Sequence, residues 1–260
     1  MHPILLQIGG FTLYTYGFFV ALGMLIALWF ILYQAKKWEL PVDPIMDMVF
    51  YCVIAGIVGA RFFYVLLYWP MFRDAPLEIF KLWNGGLVFY GGFLAGLICV
   101  IMFIRIKKLP PAKIMDLIAL SVPLAHSVGR IGCFFAGCCY GKPSSLPWAV
   151  AFNHPDTLAR PMGVPLHPTQ LYCSVGNFLI FVFLLMLSRS GRFSGRLVFI
   201  YLMIYGCFRS LVEIFRGDER GAPLVDFLST SQTIGLAAAV FGAVGLIYFT
   251  IREKNTPKNG

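Results

Sequence analysis

Seven runs of apolar residues alternate with short polar segments along this chain, at about 12–33, 45–69, 87–106, 114–131, 171–188, 196–215 and 231–251. Each is close to the ~20 residues of helix needed to cross ~30 Å of hydrocarbon. A transmembrane β-barrel would instead require strands of about ten residues with alternating polarity, which these unbroken runs lack. Helices satisfy their own backbone in lipid, so the pattern predicts an all-α integral membrane protein. The expected architecture is seven transmembrane helices in a single transmembrane domain, 1–260. A small extracytoplasmic cap is expected over about 132–170, the longest polar stretch, which holds Asn153, His154, Asp156 and His167. Met1-His2-Pro3 supplies no basic leader, so the first run is read as a retained helix and not as a cleaved signal peptide.

Composition strengthens this reading. At 59% hydrophobic and 13% charged residues the chain falls far below the ~25% charge of soluble domains. The 25 phenylalanines exclude a disordered chain. The net charge of +9 is unevenly placed. Lys36, Lys37, Arg105, Lys107, Lys108, Lys113, Arg189, Arg192, Arg196, Arg252, Lys254 and Lys258 fall in alternate connections and the C-terminus, whereas the longer opposite segments carry only Arg73, Lys81, Lys142, Arg160, Arg216 and Arg220. Basic residues are retained on the cytoplasmic side, so the N-terminus is expected outside and the C-terminus inside. The positive charge suits anionic lipid headgroups, and there is no domain in which a nucleic-acid partner could be bound.

Three arginines remain within the spans: Arg61, Arg130 and Arg209. Each costs ~2.5–3.5 kcal/mol to insert near the bilayer centre, so each requires a partner or a function. With the N-terminus outside, all three lie in the outer halves of their helices, at the depth of Tyr16-Gly17 and Tyr90-Gly91-Gly92. Arg209 and Glu213 are four apart on one helix face and can form a structural ion pair. One carboxylate does not balance three cations. The alternative is a cationic pocket, open to the outer leaflet, that grips a phosphate through bidentate guanidinium contacts. Glycines at 85, 86, 91, 92, 96, 129, 132, 137 and 141 lie along the same region. Each can serve close helix packing, or admit a lipid headgroup to backbone N–H groups.

Of the seven cysteines, Cys52, Cys99 and Cys207 read as small apolar packing residues within spans. Cys133, Cys138 and Cys139 fall on the outer side, where a disulfide is permitted, with Cys173 as a further partner. The C-x4-C-C spacing is not the usual C-x2-C and no second pair accompanies it, so no metal is assigned. A covalent thioether intermediate on one of these thiols is chemically allowed. His126, one turn before Arg130, is either a packing histidine or a base near the cation. His167 precedes a proline and reads as a loop-terminating residue, and Asp43, Asp47 and Asp116 read as structural.

Gly129-Arg130-Ile131-Gly132-Cys133-Phe134-Phe135-Ala136-Gly137-Cys138-Cys139-Tyr140-Gly141 resembles the G-R-x-G-N-F-x-N-x-E-x-x-G signature of the bacterial prolipoprotein diacylglyceryl transferases. Further pieces follow in the family's order: Tyr16-Gly17, Gly59-Ala60-Arg61 with Tyr64, Gly85 to Gly92, His167-Pro168-Thr169-Gln170-Leu171-Tyr172, and Tyr205 to Arg216. The resemblance spans nearly the whole chain. It implies transfer of the sn-1,2-diacylglyceryl group from phosphatidylglycerol to the lipobox cysteine thiol of a prolipoprotein, with release of glycerol-1-phosphate, at the outer leaflet of the bacterial inner membrane. No cofactor is implied.

By the same resemblance Arg130 and Arg209 form the phosphate clamp. Tyr90, standing where the family commonly has histidine, or His126, one turn from the clamp, is expected to assist proton removal. Tyr16, Arg61, Gly91, Gly92, Gly129, Gly132, Cys133, Gly141, Tyr205 and Glu213 are the expected substrate-binding set. The chain departs from the family at Tyr90, where a histidine is common. It also departs at Cys133 and Ala136 in place of asparagines, at Cys138 in place of glutamate, and at Cys173 in place of an acidic residue. Alternatives are a divergent paralogue with another acceptor, and a non-catalytic lipid-binding or transport protein, although the repeated halves usual in transporters are not apparent.

Overall fold

The computed structural model describes residues 2–9, 11–82, 85–191, 193–218 and 228–255; Arg192, Arg220 and Lys258 of the charge pattern lie outside the described residues. The described residues form a hairpin of β1 (Ile4–Ile8) and β2 (Phe11–Tyr14), then α1 (Thr15–Lys37), α2 (Val42–Leu67) and α3 (Trp69–Arg73). A 3-10 turn at Pro76–Phe80 leads to α4 (Phe89–Ile106) and α5 (Pro111–Ala136). A two-stranded sheet of β3 (Val150–Ala151) and β4 (Pro165–Leu166) precedes α6 (Thr169–Arg189), α7 (Leu197–Glu213) and α8 (Thr230–Asn255). Six of these helices, α1, α2, α4, α5, α6 and α8, are long and apolar enough to cross a membrane, as expected of an integral membrane protein. At 17 residues, α7 rises roughly 25 Å, short of a full hydrocarbon span.

Two boundaries differ from the sequence expectation. The first apolar run becomes helical only at Thr15, because residues 4–14 pair as a hairpin; Thr15 N–H and Oγ1 then bond back to the carbonyls of Pro3 (2.9 Å) and His2 (2.6 Å). The fourth run continues to Ala136, so Cys133 is a helical residue and not part of the expected 132–170 cap. Nothing breaks that helix before Gly137, whose φ of +75° lies in the left-handed region that glycine adopts freely. Beyond it, Phe152, Ala159 and Leu166 form a small buried core against Phe134, Tyr140, Val150 and Val164.

The chain folds as two compact units, Met1–Ile31 with Met115–Gly260, and Leu32–Ile114. In the first unit, α5 lies close to α1. A Cβ on Gly23 would stand 2.8 Å from the Ala125 carbonyl, and one on Gly132 would stand 2.9 Å from Phe19 Cβ and 3.1 Å from the Tyr16 carbonyl. Helices α7 and α8 pair just as closely through Gly206, Gly235 and Gly242. Buried Asp116 accepts hydrogen bonds from the N–H groups of Gly195 and Val198, placing a carboxylate at the start of α7.

In the second unit, α2 and α4 are joined by Gly59 and Gly91. A Cβ on Gly59 would be 2.6 Å from the Gly91 carbonyl, and one on Gly91 would be 2.6 Å from Phe63 Cβ. Backbones approach this closely only where side chains are absent. Gly91→Val should therefore cost about 1–3 kcal/mol by overpacking, read as a lower thermal midpoint in detergent. Gly96→Val, at a site where a Cβ meets nothing within 4 Å, should leave the midpoint unchanged. Equal midpoints for the two variants would contradict the close α2–α4 contact.

Candidate active site

The site in the first unit is built where α5 ends. After Gly137 the chain reverses through Cys138 and Cys139, the latter at φ 62°, and this turn is fixed from the start of α6. Thr169 Oγ1 donates to the Cys139 carbonyl (2.7 Å) and Gln170 Nε2 to the Cys138 carbonyl (2.8 Å), both from side chains with no solvent exposure. The reversal brings the sulfur atoms of Cys133, Cys138 and Cys139 within 4.8 Å of one another. All seven cysteines are in the thiol form, and the disulfide that their position permits is not made. Hydrogen bonds from the Cys133 and Cys138 thiols, reinforced by the Arg130 and Arg216 guanidiniums, hold the Cys139 thiol below the ordinary cysteine range despite its burial. Hydrogen bonds to Cys133 and Cys139, together with burial, push Cys138 up.

One turn further back on α5, Arg130 Nε donates to His126 Nε2 at 2.9 Å. This is its one hydrogen bond among the described residues. No carboxylate there lies within ion-pair distance of it. The imidazole is flanked electrostatically by both Arg130 and Arg209, and its ring centroid is 5.8 Å from that of Tyr205. The Arg130 guanidinium has the thiols of Cys133, Cys139 and Cys173 and the Tyr205 phenol within electrostatic reach. Tyr16, about half exposed, shares the Arg130 and cysteine neighbourhood from α1.

The α7 end supplies the remaining charges. Arg209 Nη1 and Glu213 Oε2 are 2.6 Å apart, with side chains only 9% and 8% exposed. Arg216 lies 3.9 Å from the same carboxylate and forks onto both oxygens of Asp218 at 2.8 Å. Among the described residues, Arg209 Nη2 and Arg216 Nη1 are buried without a hydrogen-bond partner. Among the described residues two carboxylates thus face three guanidiniums, and that positive charge sits beside His126 and the cysteine turn. An anion accepting from guanidinium forks fits that arrangement.

Several expected site residues serve other ends in the structure. Arg61 belongs to the second unit, where all its donors are taken by backbone carbonyls: Nε by Ile79, Nη1 by Gly85 and Gly86, Nη2 by Glu78 and Lys81. Tyr64 and Phe72 lie against its guanidinium at 5.6 and 5.3 Å. No N–H of Arg61 is left for a phosphate, and the side chain ties residues 78–81 to Gly85 and Gly86. Tyr90, Gly91 and Gly92 lie at the start of α4 in that same unit, with both glycines facing α2. Gly132 and Gly141 are likewise required for space: a Cβ on Gly141 would stand 2.7 Å from the carbonyls of both His167 and Phe215. Gly129, by contrast, faces open space beside Arg130. His126 Nε2 is engaged by Arg130, which makes the imidazole a group that positions the cation while that bond stands.

A family model described as prolipoprotein diacylglyceryl transferase matches residues 3–248. The chain belongs to that family. The phosphatidylglycerol–prolipoprotein diacylglyceryl transferase of Clostridium tetani is 41% identical over 242 residues, covering 93% of this chain and 95% of that protein. Transferase 2 of Clostridium perfringens is 32% identical over 260 residues, covering 100% and 99%. The Cupriavidus metallidurans protein of the same name is 33% identical over 254 residues, covering 95% and 92%.

Within this diacylglyceryl transferase fold, sequence reasoning left Thr169, Gln170 and Arg216 out of the candidate site and, although it singled out Cys138 and Cys139, did not place them beside Arg130 and Arg216. Their signal lay in the adjacency of His167-Pro168-Thr169-Gln170 to the helix start, which marks Thr169 and Gln170 as side chains able to bond a neighbouring loop. The shared carboxylate of Glu213 is the easiest part to test. Glu213→Gln leaves two buried guanidiniums short of charge and should cost about 3–5 kcal/mol, read as a lower midpoint of unfolding in detergent. An unchanged midpoint would remove Glu213 from the electrostatic core of the transferase.

Proposed function

We propose that the chain transfers the sn-1,2-diacylglyceryl group of phosphatidylglycerol to the lipobox cysteine thiol of a prolipoprotein, releasing glycerol-1-phosphate. The observation that carries this reading is Arg130, a partly buried guanidinium at the end of an apolar helix, without a carboxylate partner among the described residues and flanked with Arg209 around one imidazole. The names of the relatives support the same substrates.

The reaction breaks the C–O bond between the glyceryl carbon and the phosphate oxygen, and sulfur attacks that carbon. Negative charge develops on the departing phosphate. Preorganised guanidinium donors stabilise such charge far better in an apolar setting than water does. Arg130 supplies its Nη groups to the phosphate while His126 holds its Nε, and Arg209 Nη2 supplies a second donor. Open space at Gly129 lets the headgroup reach Arg130. The acceptor must lose a proton to become a nucleophilic thiolate.

In the membrane, α7 completes a seven-helix arrangement with the N-terminus outside. The cysteine turn and the clamp then lie at the outer leaflet of the bacterial inner membrane, facing the periplasm, with the residue 137–168 segment as a cap. The excess of lysine and arginine in the alternate connections supports that orientation.

Arg130→Ala should lower thioether formation on a lipobox peptide by about 100-fold or more, with unfolding in detergent little changed. Arg130→Lys should recover only part of the loss, because an ammonium lacks the guanidinium fork. Turnover of Arg130→Ala within a few fold of the native enzyme would overturn the assignment.

A further inference from the structure

We infer that Cys133, Cys138 and Cys139 form a three-thiolate site for a zinc-type divalent cation, whose fourth position takes the acceptor thiol. The inference rests on the diacylglyceryl-transfer reading for the acceptor and on the geometry of the cysteine turn for the metal.

Three sulfur atoms lie within 4.8 Å of one another. Tetrahedral zinc at Zn–S of ~2.3 Å spaces its sulfurs about 3.8 Å apart, so a contraction of about 1 Å closes the site. The cradle is also built. Its backbone passes through left-handed conformations at Gly137 and Cys139, and the carbonyls of Cys138 and Cys139 are held by Gln170 and Thr169. Supporting hydrogen bonds of this kind orient metal ligands. An all-sulfur donor set selects a soft or borderline cation over magnesium or calcium.

Charge points the same way. Three thiolates and a divalent ion leave one negative charge, in a pocket where the Arg130 and Arg216 guanidiniums both lie within electrostatic reach of Cys139. The guanidiniums that would repel a bare cation thus stabilise the tris-thiolate complex. Among the described residues no fourth sulfur, imidazole or carboxylate joins the cluster, so the coordination shell stays open, as in catalytic zinc sites.

An acceptor thiol entering that position loses its proton to water on coordination. Its sulfur lone pair forms the C–S bond to the glyceryl CH₂, the C–O bond breaks, and its electron pair leaves on the phosphate oxygen of glycerol-1-phosphate. The neutral thioether is a weak ligand and departs. Proton removal then needs no side-chain base, which suits a site whose imidazole is already engaged by Arg130.

The test uses the full chain, purified in detergent under reducing conditions, with zinc measured by elemental analysis and cobalt(II) as the spectroscopic probe. About one zinc per chain is expected, with a thiolate-to-cobalt charge-transfer band in the cobalt form that shifts when a lipobox peptide is added. Cys133→Ser and Cys139→Ser should lose the metal, and Cys52→Ser should keep it. Gln170→Leu keeps every ligand and should weaken cobalt affinity by about 10-fold or more, which guards against a cysteine variant that fails to fold.

Absence of stoichiometric metal and of the cobalt band overturns the site, as does a disulfide within the cluster. Thioether formation undiminished in metal-free protein overturns the role in thiol activation and leaves the transferase reading standing. Metal bound and perturbed by peptide, with no thioether formed under any condition, overturns the transferase reading and leaves the site standing.

Discussion

Everything in the first unit is arranged around an imbalance of charge in an apolar setting. Among the described residues, Arg130, Arg209 and Arg216 are answered by two carboxylates, Glu213 and Asp218, and both of these pair with the arginines of α7 and its end. Arg130 is left with a neutral imidazole as its hydrogen-bond partner. A guanidinium placed this way in a membrane protein is costly, and the cost falls when an anion arrives to share its donors. On the proposed reading, an anionic headgroup completes this charge balance as well as entering the reaction.

Two arginines that look alike in the sequence show what a partner decides. Arg61 and Arg130 each follow a glycine or small residue in an apolar run, and both were expected to face substrate. Arg61 is enclosed by the carbonyls of Glu78, Ile79, Lys81, Gly85 and Gly86, five neutral acceptors that together satisfy the fork without adding charge. Among the described residues Arg130 has no such ring of carbonyls and bonds only His126. The first arginine fixes a loop, and the second is the one proposed to bind the headgroup. The glycines divide similarly: Gly59, Gly91, Gly132 and Gly141 are excluded volume for neighbouring backbone, while Gly129 leaves a gap.

Hydropathy made the helices legible because length and apolarity are properties of the segment itself; α2, α4 and α6 fall within a few residues of their expected bounds. The Arg209–Glu213 pair was legible for the same reason, since four-residue spacing fixes adjacency on a helix. The hairpin at residues 4–14 was not, because its apolar residues merge with the first run and strand pairing depends on a partner strand. The meeting of three thiols was also hidden. It depends on left-handed turns at Gly137 and Cys139 and on side chains of α6, about thirty positions away, that hold the intervening carbonyls. Spacing rules for metal sites describe common loops and do not anticipate thiols brought together by a helix end folding back on itself.

The central claim is that Arg130 and its neighbours hold an anionic lipid headgroup. Native mass spectrometry of the purified protein, given phosphatidylglycerol and phosphatidylcholine of matched chain length in equal amounts, tests it directly. The account predicts preferential retention of phosphatidylglycerol by the native chain and loss of that preference in the Arg130→Ala, Arg209→Ala double variant. Equal retention of both lipids by the native chain, or a preference untouched by removing both guanidiniums, would contradict it.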